Sequence, residues 1–552
     1  MPEATTSPSS PSVPDASGWP REPGGSNGIA IAPGNTRDHH ALLWINPHTS
    51  FYFRSELQMS SDQGLDAYGA VTWVQFFVYQ GFNRTAGWIH TSSGVDNIDQ
   101  FLETVVRQGD RLEYRYGGRL LPVRAHTITI PFRTDAGTSR RTFTAYWTQH
   151  GPVVRRMGER WVTVSLMQSP VNALIQSYTR TRARDYAAFR RIMELHTNSS
   201  NNTVFADAEG HIAYFHSNYI PRRDTAFDWT RPVDGSDPAT AYHGLLSLAE
   251  TPGVLDPPVG WLYNSNNWPW SAAGPDSPRR HDFPRYVERG TEESPRGYHA
   301  LRLLTGARAW TMSSLTAAAF DSYLPAFATM IPRLLQAYDS AARTMNLKPI
   351  VEQVALLRGW DYRWGVGSVP TSLAVFWGTE LQRRMPPEAR RAGLSLQDWV
   401  VQQASAAELL QALEDASDRL AADFGKWQTP WGDINRFQRL DDAIDGHFDD
   451  SRPSIPVPFT SSAWGSLASF GARPYANTRK WYGTSGNSFV AVVEFGDSVR
   501  ARAVTAGGES GNPASPHFDD EAERYTGGNL RTVYFYPGQL IGHTERRYHP
   551  GD

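Results

Sequence analysis

The sequence predicts a mixed fold of the α/β or α+β class with a large β core. From residue 28 to about residue 265, short strand-like runs are broken by Gly, Pro and Asn, as in large antiparallel sheets. Between roughly 296 and 425 the apolar residues recur at helical spacing, and Gly-rich strand patterns return over residues 461–552. Large sheets with a helical region between them are therefore expected.

The first strands follow a linker. Residues 1–25 are dominated by Pro, Ser, Gly and Thr and lack an apolar period, which predicts a disordered segment. Residues 28–32 are strand-like. Residues 41–45 form an apolar run, and the Asn46-Pro47 pair after it predicts the end of a buried strand.

Later elements follow from the same patterns. The clearest helical stretch covers residues 395–424, where Ser395 and Asp398 form a capping signal. Within it, leucines recur at helical spacing at Leu409, Leu410, Leu413 and Leu420. Further strands are predicted at residues 127–132, 141–147, 161–166 and 211–216.

Composition excludes several partners and chemistries. The 552 residues include 53 Lys plus Arg and 56 Asp plus Glu, a formal charge of -3, so no nucleic-acid partner is expected. There is no cysteine, which excludes thiol nucleophiles, disulfides and cysteine-ligated metals. The most apolar segments, such as residues 70–82, are shorter than the ~20 residues that span a membrane, so no membrane insertion is expected.

The stretch Gly24-Gly25-Ser26-Asn27-Gly28 matches the Gly-x-Ser-x-Gly pattern of a serine-hydrolase elbow. An elbow needs a strand before the serine and a helix after it, whereas Ser26 follows a linker and precedes a strand. A solvated turn is one alternative. The other is cleavage between Gly25 and Ser26, which would give Ser26 a free α-amine as the base for its own hydroxyl. The reference pKa of such an amine, about 7.7 to 8.0, suits a general base at neutral pH.

From Ser26 to its C-terminus the sequence resembles the penicillin acylase family of N-terminal-nucleophile hydrolases, and within it the acyl-homoserine-lactone and aculeacin acylase branch. The order and spacing of several short stretches carry the resemblance. They are Gly25-Ser26-Asn27, Asn46-Pro47-His48, WIHTS (88–92), QHGPVV (149–154), FADAEGHIAYFHSN (205–218), NSNN (264–267), RPSIPVPFTSSAWGSLASFGAR (452–473) and GESGNPASPHFDD (508–520). The resemblance implies an α+β four-layer αββα sandwich with a helical insertion.

The resemblance also implies roles for five residues. Ser26 would be the nucleophile that forms an acyl-enzyme, and His48 would hydrogen-bond around this nucleophile and its amine. Asn266 would donate to the oxyanion through its side chain, and Ser92 through its backbone N–H. Arg296 would lie near the amine and Asn266, although on the sequence alone it is equally a surface arginine that opens a helix.

A structural calcium ion is a further implication. Asp96, Ile98 and Asp99 resemble the calcium loop of the family, which uses two carboxylates and a backbone carbonyl. No cofactor is expected in catalysis itself.

The resemblance finally implies a precursor organisation. Residues 1–25 would be a spacer and residues 26–552 the large β chain, with a mainly β core (26–295), a helical region (296–425) and a β-rich part (426–552). A small α chain from the same precursor would complete a heterodimer and part of the acyl pocket. The family places such enzymes in the periplasm or outside the cell.

Hydrolysis of an N-acyl amide is therefore the leading functional hypothesis, with an acyl-homoserine lactone as the preferred substrate. Penicillin-type β-lactams and lipopeptides are the rivals within the family. From other classes, the 19 Trp, 23 Tyr and 25 Phe also suit a non-catalytic secreted protein that binds sugars or apolar ligands. An elbow-type esterase is the third alternative.

Overall fold

The computed structural model describes residues 25–216, 218–290, 292–342, 348–443, 446–549 and 551. The linker predicted for residues 1–25 lies outside this part of the chain, except for Gly25. That residue begins a buried strand, so it does not belong to a disordered segment. None of the described helices is both long and apolar enough to cross a membrane.

The first half of the described chain consists mostly of strands, interrupted by the two helices α1 (Pro170–Arg180) and α2 (Tyr186–Met193). Its strands are β1 (Gly25–Ile31), β2 (Ala41–Ser50), β3 (Arg54–Ser60), β4 (Asp66–Thr72), β5 (Gln80–Asn83), β6 (Ala86–Ser92), β7 (Asp99–Glu103), β8 (Val105–Gln108), β9 (Arg111–Tyr116), β10 (Arg119–Pro122), β11 (Arg124–Thr134), β12 (Gly137–Thr148), β13 (Gly151–Met157), β14 (Arg160–Ser165), β15 (Asn201–Asp207), β16 (Ile212–His216), β17 (Val233–Asp234), β18 (Gly253–Leu255) and β19 (Trp261–Asn264).

The second half begins with helices and ends with strands. Its helices are α3 (Pro295–Leu304), α4 (Met312–Ala319), α5 (Pro325–Ala341), α6 (Val351–Arg358), α7 (Val369–Arg384), α8 (Pro387–Arg391), α9 (Leu396–Gln402), α10 (Ala406–Phe424), α11 (Trp431–Ile434) and α12 (Ala522–Gly527). Its strands are β20 (Asn435–Phe437), β21 (Ile455–Pro456), β22 (Phe470–Arg473), β23 (Trp481–Asn487), β24 (Phe489–Phe495), β25 (Val499–Thr505) and β26 (Arg531–Thr532).

Two large sheets form the centre of the fold. The first has the order β21-β20-β23-β2-β24-β25-β26, with β1 beside β2 and β19 and with β22 beside β23. The second has the order β18-β16-β15-β6-β5-β4-β3. Their neighbours pair antiparallel, apart from the parallel pair β20 and β23. The smaller sheets are β11-β12-β13-β14-β7-β17 and β10-β9-β8.

The buried apolar clusters define four layers. Ala30 and Leu43 of the first sheet pack with Ile89 and Val204 of the second, so the two sheets lie face to face. The outer face of the first sheet packs against α3 and α4, and the outer face of the second packs against α2. Successive residues of a strand point to opposite faces of the sheet, so one strand can contribute to the clusters on both faces. Both faces of each sheet are therefore buried. The α+β sandwich of layers α, β, β and α is confirmed.

The six predicted strands are present as β1, β2, β11, β12, β14 and β16, but the predicted end of β2 is wrong. β2 continues through Asn46 and Pro47 to Ser50. It pairs with β24 up to Ile45 and with β23 from His48 onward, so Pro47 lies between two partners. A proline is tolerated there because the ladder needs no N–H at that point.

The helix predicted over residues 395–424 is two helices, α9 and α10. Ser395 caps α9 as expected, since its hydroxyl accepts from the backbone N–H of Asp398 at 3.1 Å. The chain then leaves the helix, and Ser405 and Glu408 form a capping box that starts α10. The apolar faces of α5 to α10 form a separate helical core.

Candidate active site

Ser26 lies near the start of a strand that is paired on both sides. β1 pairs with β2 along its whole length, with Ser26 opposite Pro47, and it pairs with β19 from Gly28 onward. Because β19 ends at Asn264, the loop that follows it lies beside Ser26. Ser26 is only 5% exposed. It is a buried strand residue, and the interpretation as a solvated turn is wrong.

Close packing accounts for two glycines next to Ser26. A Cβ atom on Gly25 would lie 2.4 Å from Oδ1 of Asn266, and a Cβ atom on Gly28 would lie 2.6 Å from Cγ2 of Ile89. β1 continues past Ser26 without a turn into a helix. The elbow interpretation is therefore wrong, because an elbow requires a strand-to-helix turn at the serine.

The Ser26 hydroxyl lies against the peptide carbonyl that precedes it. Its Oγ donates a hydrogen bond to the carbonyl oxygen of Gly25 at 2.5 Å. The backbone nitrogen of Ser26 donates to Oδ1 of Asn266 at 2.6 Å. The side chain of Asn266 therefore holds the nitrogen of the Gly25–Ser26 peptide bond, and the Ser26 hydroxyl contacts the carbonyl of the same bond.

The loop after β19 places Asn266 between Ser26 and the end of β6. Asn266 has a φ of 62°, a left-handed conformation that asparagine adopts more readily than most residues. Its backbone nitrogen donates to Oδ1 of Asn264 at 2.9 Å, and its Nδ2 donates to the carbonyl oxygen of Ser92 at 3.0 Å. An amide nitrogen carries two hydrogens, so this second bond uses one of them. The predicted pair Asn266 and Ser92 is thus brought together.

Arg296 reaches the same point from α3. Ser294 caps this helix, and Arg296 is only 6% exposed, so the alternative of a surface arginine is wrong. Its Nη1 donates to the carbonyl oxygen of Ser26 at 2.9 Å and to Oδ1 of Asn27 at 2.8 Å. Its Nη2 donates to Oδ1 of Asn266 at 2.8 Å. One guanidinium therefore fixes the backbone and the side chains on both sides of Ser26.

Glu293 links the two segments that carry Asn266 and Arg296. Its carboxylate accepts from Nδ2 of Asn267 at 3.1 Å and from the backbone nitrogen of Ser294 at 2.8 Å. Burial raises the pKa of Glu293, and these hydrogen bonds oppose that shift. Sequence reasoning gave this residue no role, since a glutamate before a helix is an ordinary surface residue.

His48 contacts the residue that follows Ser26. Its Nε2 is 2.8 Å from Oδ1 of Asn46 and 3.0 Å from Nδ2 of Asn27. Burial, and then the positive charge of Arg296, hold the pKa of His48 well below its usual value. A neutral His48 therefore touches Asn27, the residue after Ser26, and supports the site through it.

Buried asparagines complete the hydrogen-bond network and were missed in sequence analysis. Nδ2 of Asn27 donates to Oδ1 of Asn46 at 2.8 Å, and Nδ2 of Asn202 donates to Oδ1 of Asn264 at 3.1 Å. All four asparagines are buried. A polar side chain in a buried strand needs a partner, so an Asn directly after an apolar run, as at Asn46, was the available signal.

The predicted calcium loop does not hold a metal-binding arrangement. The side chains of Asp96 and Asp99 are each 1% exposed, and the guanidinium of Arg223 lies between them. Its Nη1 is 2.5 Å from Oδ1 of Asp99 and 3.9 Å from Oδ1 of Asp96. Within the described residues, no cluster of three or more His, Cys, Asp or Glu could hold a metal ion. Asp96, Ile98 and Asp99 therefore do not fit a calcium ion, because a cation already lies between the carboxylates.

The assembled groups suit acyl transfer. The Ser26 hydroxyl contacts a carbonyl, a guanidinium fixes the backbone of Ser26, and an amide side chain lies beside the end of a strand. Preorganised donors of this kind stabilise the negative charge that develops on a carbonyl oxygen under attack.

Comparison with known proteins gives a consistent family. The family model for penicillin amidase matches residues 3–541. The acyl-homoserine lactone acylase PvdQ of Pseudomonas putida is 25% identical over 95% of this chain and 70% of its own length. The acyl-homoserine lactone acylase QuiP of the same organism is 24% identical over 92% of this chain and 65% of its own length. The penicillin acylase 2 proenzyme of a Pseudomonas species is 24% identical, with 90% of this chain and 65% of that protein aligned.

A solved structure shows the same fold. A thermostable penicillin G acylase from Alcaligenes faecalis superposes with a TM-score of 0.68 over 95% of this chain and 99% of that one, at 16% sequence identity. In the sequence comparisons, the chain spans 65 to 70% of the length of the three relatives named above.

Proposed function

The chain belongs to the penicillin amidase family, which makes it an amidohydrolase of the acylase type, and we propose that it hydrolyses N-acyl amides through Ser26. The observation that carries this proposal is the convergence of Asn266 and Arg296 on the backbone of Ser26. These three residues are far apart in the sequence, and each is buried or partly buried at the same point.

The first step is cleavage of the chain before Ser26. Oγ of Ser26 bonds to the carbonyl carbon of Gly25, the C–N bond breaks, and the hydroxyl proton passes to the departing nitrogen. Water then hydrolyses the resulting ester, which restores the hydroxyl and leaves a free α-amine on Ser26. The contact between Oγ and the Gly25 carbonyl oxygen supports this step, as does the bond that holds the Ser26 nitrogen on Asn266.

The second step repeats this attack on a substrate. The free amine accepts the proton of the Ser26 hydroxyl, Oγ attacks the amide carbonyl, and the amine product leaves with that proton. Water then releases the acid. The guanidinium of Arg296, bonded to the Ser26 carbonyl oxygen, places a positive charge near this amine, which favours the neutral form that can act as a base.

The oxyanion is stabilised by Asn266 and by the backbone of Ser92. Nδ2 of Asn266 keeps one hydrogen beyond its bond to the Ser92 carbonyl. Ser92 is the last residue of β6, where the strand ladder ends. In the intact chain Gly25 packs against the Asn266 side chain, and the substrate carbonyl would enter as Gly25 leaves.

An acyl-homoserine lactone is the proposed substrate. Two of the three sequence relatives named above are acyl-homoserine lactone acylases, and the third is a penicillin acylase, so penicillins are the second candidate. Assays of the cleaved protein against lactones of varied acyl length and against penicillin G and lipopeptides decide between these. Faster turnover of penicillin G than of every lactone would reject the lactone assignment.

A companion chain is part of the proposal. Val171, Leu174 and Ile175 of α1 are exposed although they share one face with Tyr178, and the exposed Phe76 lies 6.4 Å from the Tyr178 ring. An apolar helix face of this kind suits cover by a smaller α chain from the same precursor. The active peak from size-exclusion chromatography should contain a second chain. Full activity of this chain alone would contradict the proposal.

Mass spectrometry of the mature protein tests the mechanism directly. We expect a chain that begins at Ser26, and we expect Ser26→Ala to remain uncleaved and inactive. Active protein with an intact Gly25–Ser26 bond would rule the mechanism out. If Ser26→Ala leaves ligand binding and biological function unchanged, the protein is a binding protein instead. A periplasmic or secreted location is also proposed, on the family resemblance.

A further inference from the structure

A buried arginine lies at the place where the family resemblance implies a metal ion. Arg223 has no exposed side-chain surface, and Nη1 is 2.5 Å from Oδ1 of Asp99. Its Nη2 donates to the backbone carbonyl oxygen of Asp96. A carboxylate and a backbone carbonyl are the kinds of oxygen that bind calcium, and here one guanidinium occupies both.

The charges around this arginine are already balanced. Arg289, whose side chain is half exposed, donates to Oδ1 of Asp96. Asp96 and Asp99 carry two negative charges, and Arg223 and Arg289 carry two positive charges, the same total that one Ca²⁺ would supply. Tyr242 also donates to Oδ2 of Asp99. Adding a divalent ion would leave an uncompensated charge of +2 in a buried place, which is strongly unfavourable.

Aromatic side chains fix the guanidinium of Arg223. Its central carbon lies 4.2 Å from the ring centroid of Tyr286 and 5.3 Å from that of Trp229. Aromatic rings in this position suit the planar, weakly hydrated guanidinium and do not favour a hydrated metal ion at the site.

We propose that Arg223 and Arg289 replace the structural calcium ion, so that this protein is stable and folded without calcium. Arg289 links the segment after β6 to the segment before α3, and Arg223 links the segment after β6 to the segment after β16. Backbone bonds run along the same seam, from Asp96 N to the Tyr286 oxygen at 3.1 Å and from Arg289 N to the Gly94 oxygen at 2.9 Å. Gly94 lies two residues after Ser92, so this cross-link positions the end of β6.

Calcium content and thermal stability of the wild-type protein give the first test. Protein dialysed against calcium-free buffer without chelator should contain far less than one calcium per chain by elemental analysis. Its unfolding midpoint should be the same in EDTA and in millimolar CaCl₂. One bound calcium per chain, or a midpoint that EDTA lowers, would overturn the proposal. Neither readout depends on the catalytic assignment of Ser26.

Substitution of Arg223 gives the second test. Arg223→Met leaves two buried carboxylates short of one positive charge, so its midpoint should fall by several degrees in EDTA. Added CaCl₂ should raise the midpoint of this variant and leave the wild type unchanged. A variant as stable as the wild type, or one that calcium fails to raise, would show that the guanidinium does not occupy a cation site.

Two further variants keep the test decisive. Arg231→Met removes the arginine of an exposed pair with Asp228, where both side chains are more than half exposed, and should change neither midpoint nor calcium response. If Arg223→Met fails to fold, Arg289→Met is measured in its place. Its partly exposed side chain should give a smaller fall with the same gain on adding calcium, and the absence of both effects would contradict the proposal.

Discussion

Replacement of Gly25 by alanine should slow self-cleavage and leave the mature enzyme unchanged. The added Cβ would lie 2.4 Å from Oδ1 of Asn266, which is 1.0 Å inside the 3.4 Å where ordinary contact begins, and 2.8 Å from Nη2 of Arg296. Relief of this contact moves Asn266 away from the Ser26 nitrogen. Overpacking of this kind costs about 1 to 3 kcal/mol, which as an added barrier slows cleavage by about 5- to 150-fold.

The assay is the rate at which a chain beginning at Ser26 appears, followed by mass spectrometry on freshly purified precursor. Gly34→Ala is the matched control, because a Cβ there meets no atom within 4 Å. Turnover per mole of cleaved chain should equal that of the wild type, since Gly25 is no longer part of the mature chain. Cleavage of Gly25→Ala at the rate of the Gly34→Ala control would refute the steric reasoning.

Three further predictions follow from the site and the sheets. Asn266→Ala should lower kcat about 10²- to 10³-fold through loss of an oxyanion donor, whereas Ser92→Ala, in which the backbone N–H remains, should retain near-normal kcat; equal losses would contradict these roles. Because the folded state keeps His48 neutral while the unfolded chain binds a proton below pH ~6.5, His48 should contribute up to about 1.4 kcal/mol per pH unit to the fall of unfolding free energy with decreasing pH, and His48→Gln should remove that contribution from the slope in urea titrations. Gly28→Ala should cost about 1 to 3 kcal/mol of unfolding free energy through its clash with Ile89, and an unchanged urea midpoint would argue against such close sheet packing.

Sequence patterns predicted the strands better than the places where elements end, and the sheet packing followed from the family resemblance. A strand-like stretch predicted β1 and a continuous apolar run predicted β2, but Pro47 looked like the end of β2 because its neighbours in space were unknown. Only the gap between β23 and β24 makes that proline acceptable. The break between α9 and α10 was readable, since Ser405 and Glu408 carry a capping signal as clear as that of Ser395.

Long-range charge compensation could not be predicted from the sequence. Asp96 and Asp99 looked like metal ligands because they resemble the calcium loop of the family, whereas the arginine that lies between them is more than 120 positions away. Arg296 posed the same difficulty, since only its burial distinguishes it from a surface residue that opens a helix. Such pairs form only when the folded sheets bring distant loops together, so the sequence alone does not reveal them.

The position of β1 inside a sheet has a consequence for the chain end that the proposed cleavage would create. A fresh terminus is usually the loosest part of a protein and frays in solvent. Here seven residues from Gly25 to Ile31 are matched to β2, and the last four are also matched to β19. A cut between Gly25 and Ser26 would leave the new terminus within this pairing, so it would already be immobilised, and its amine and hydroxyl could keep a fixed orientation without any loop closing over them.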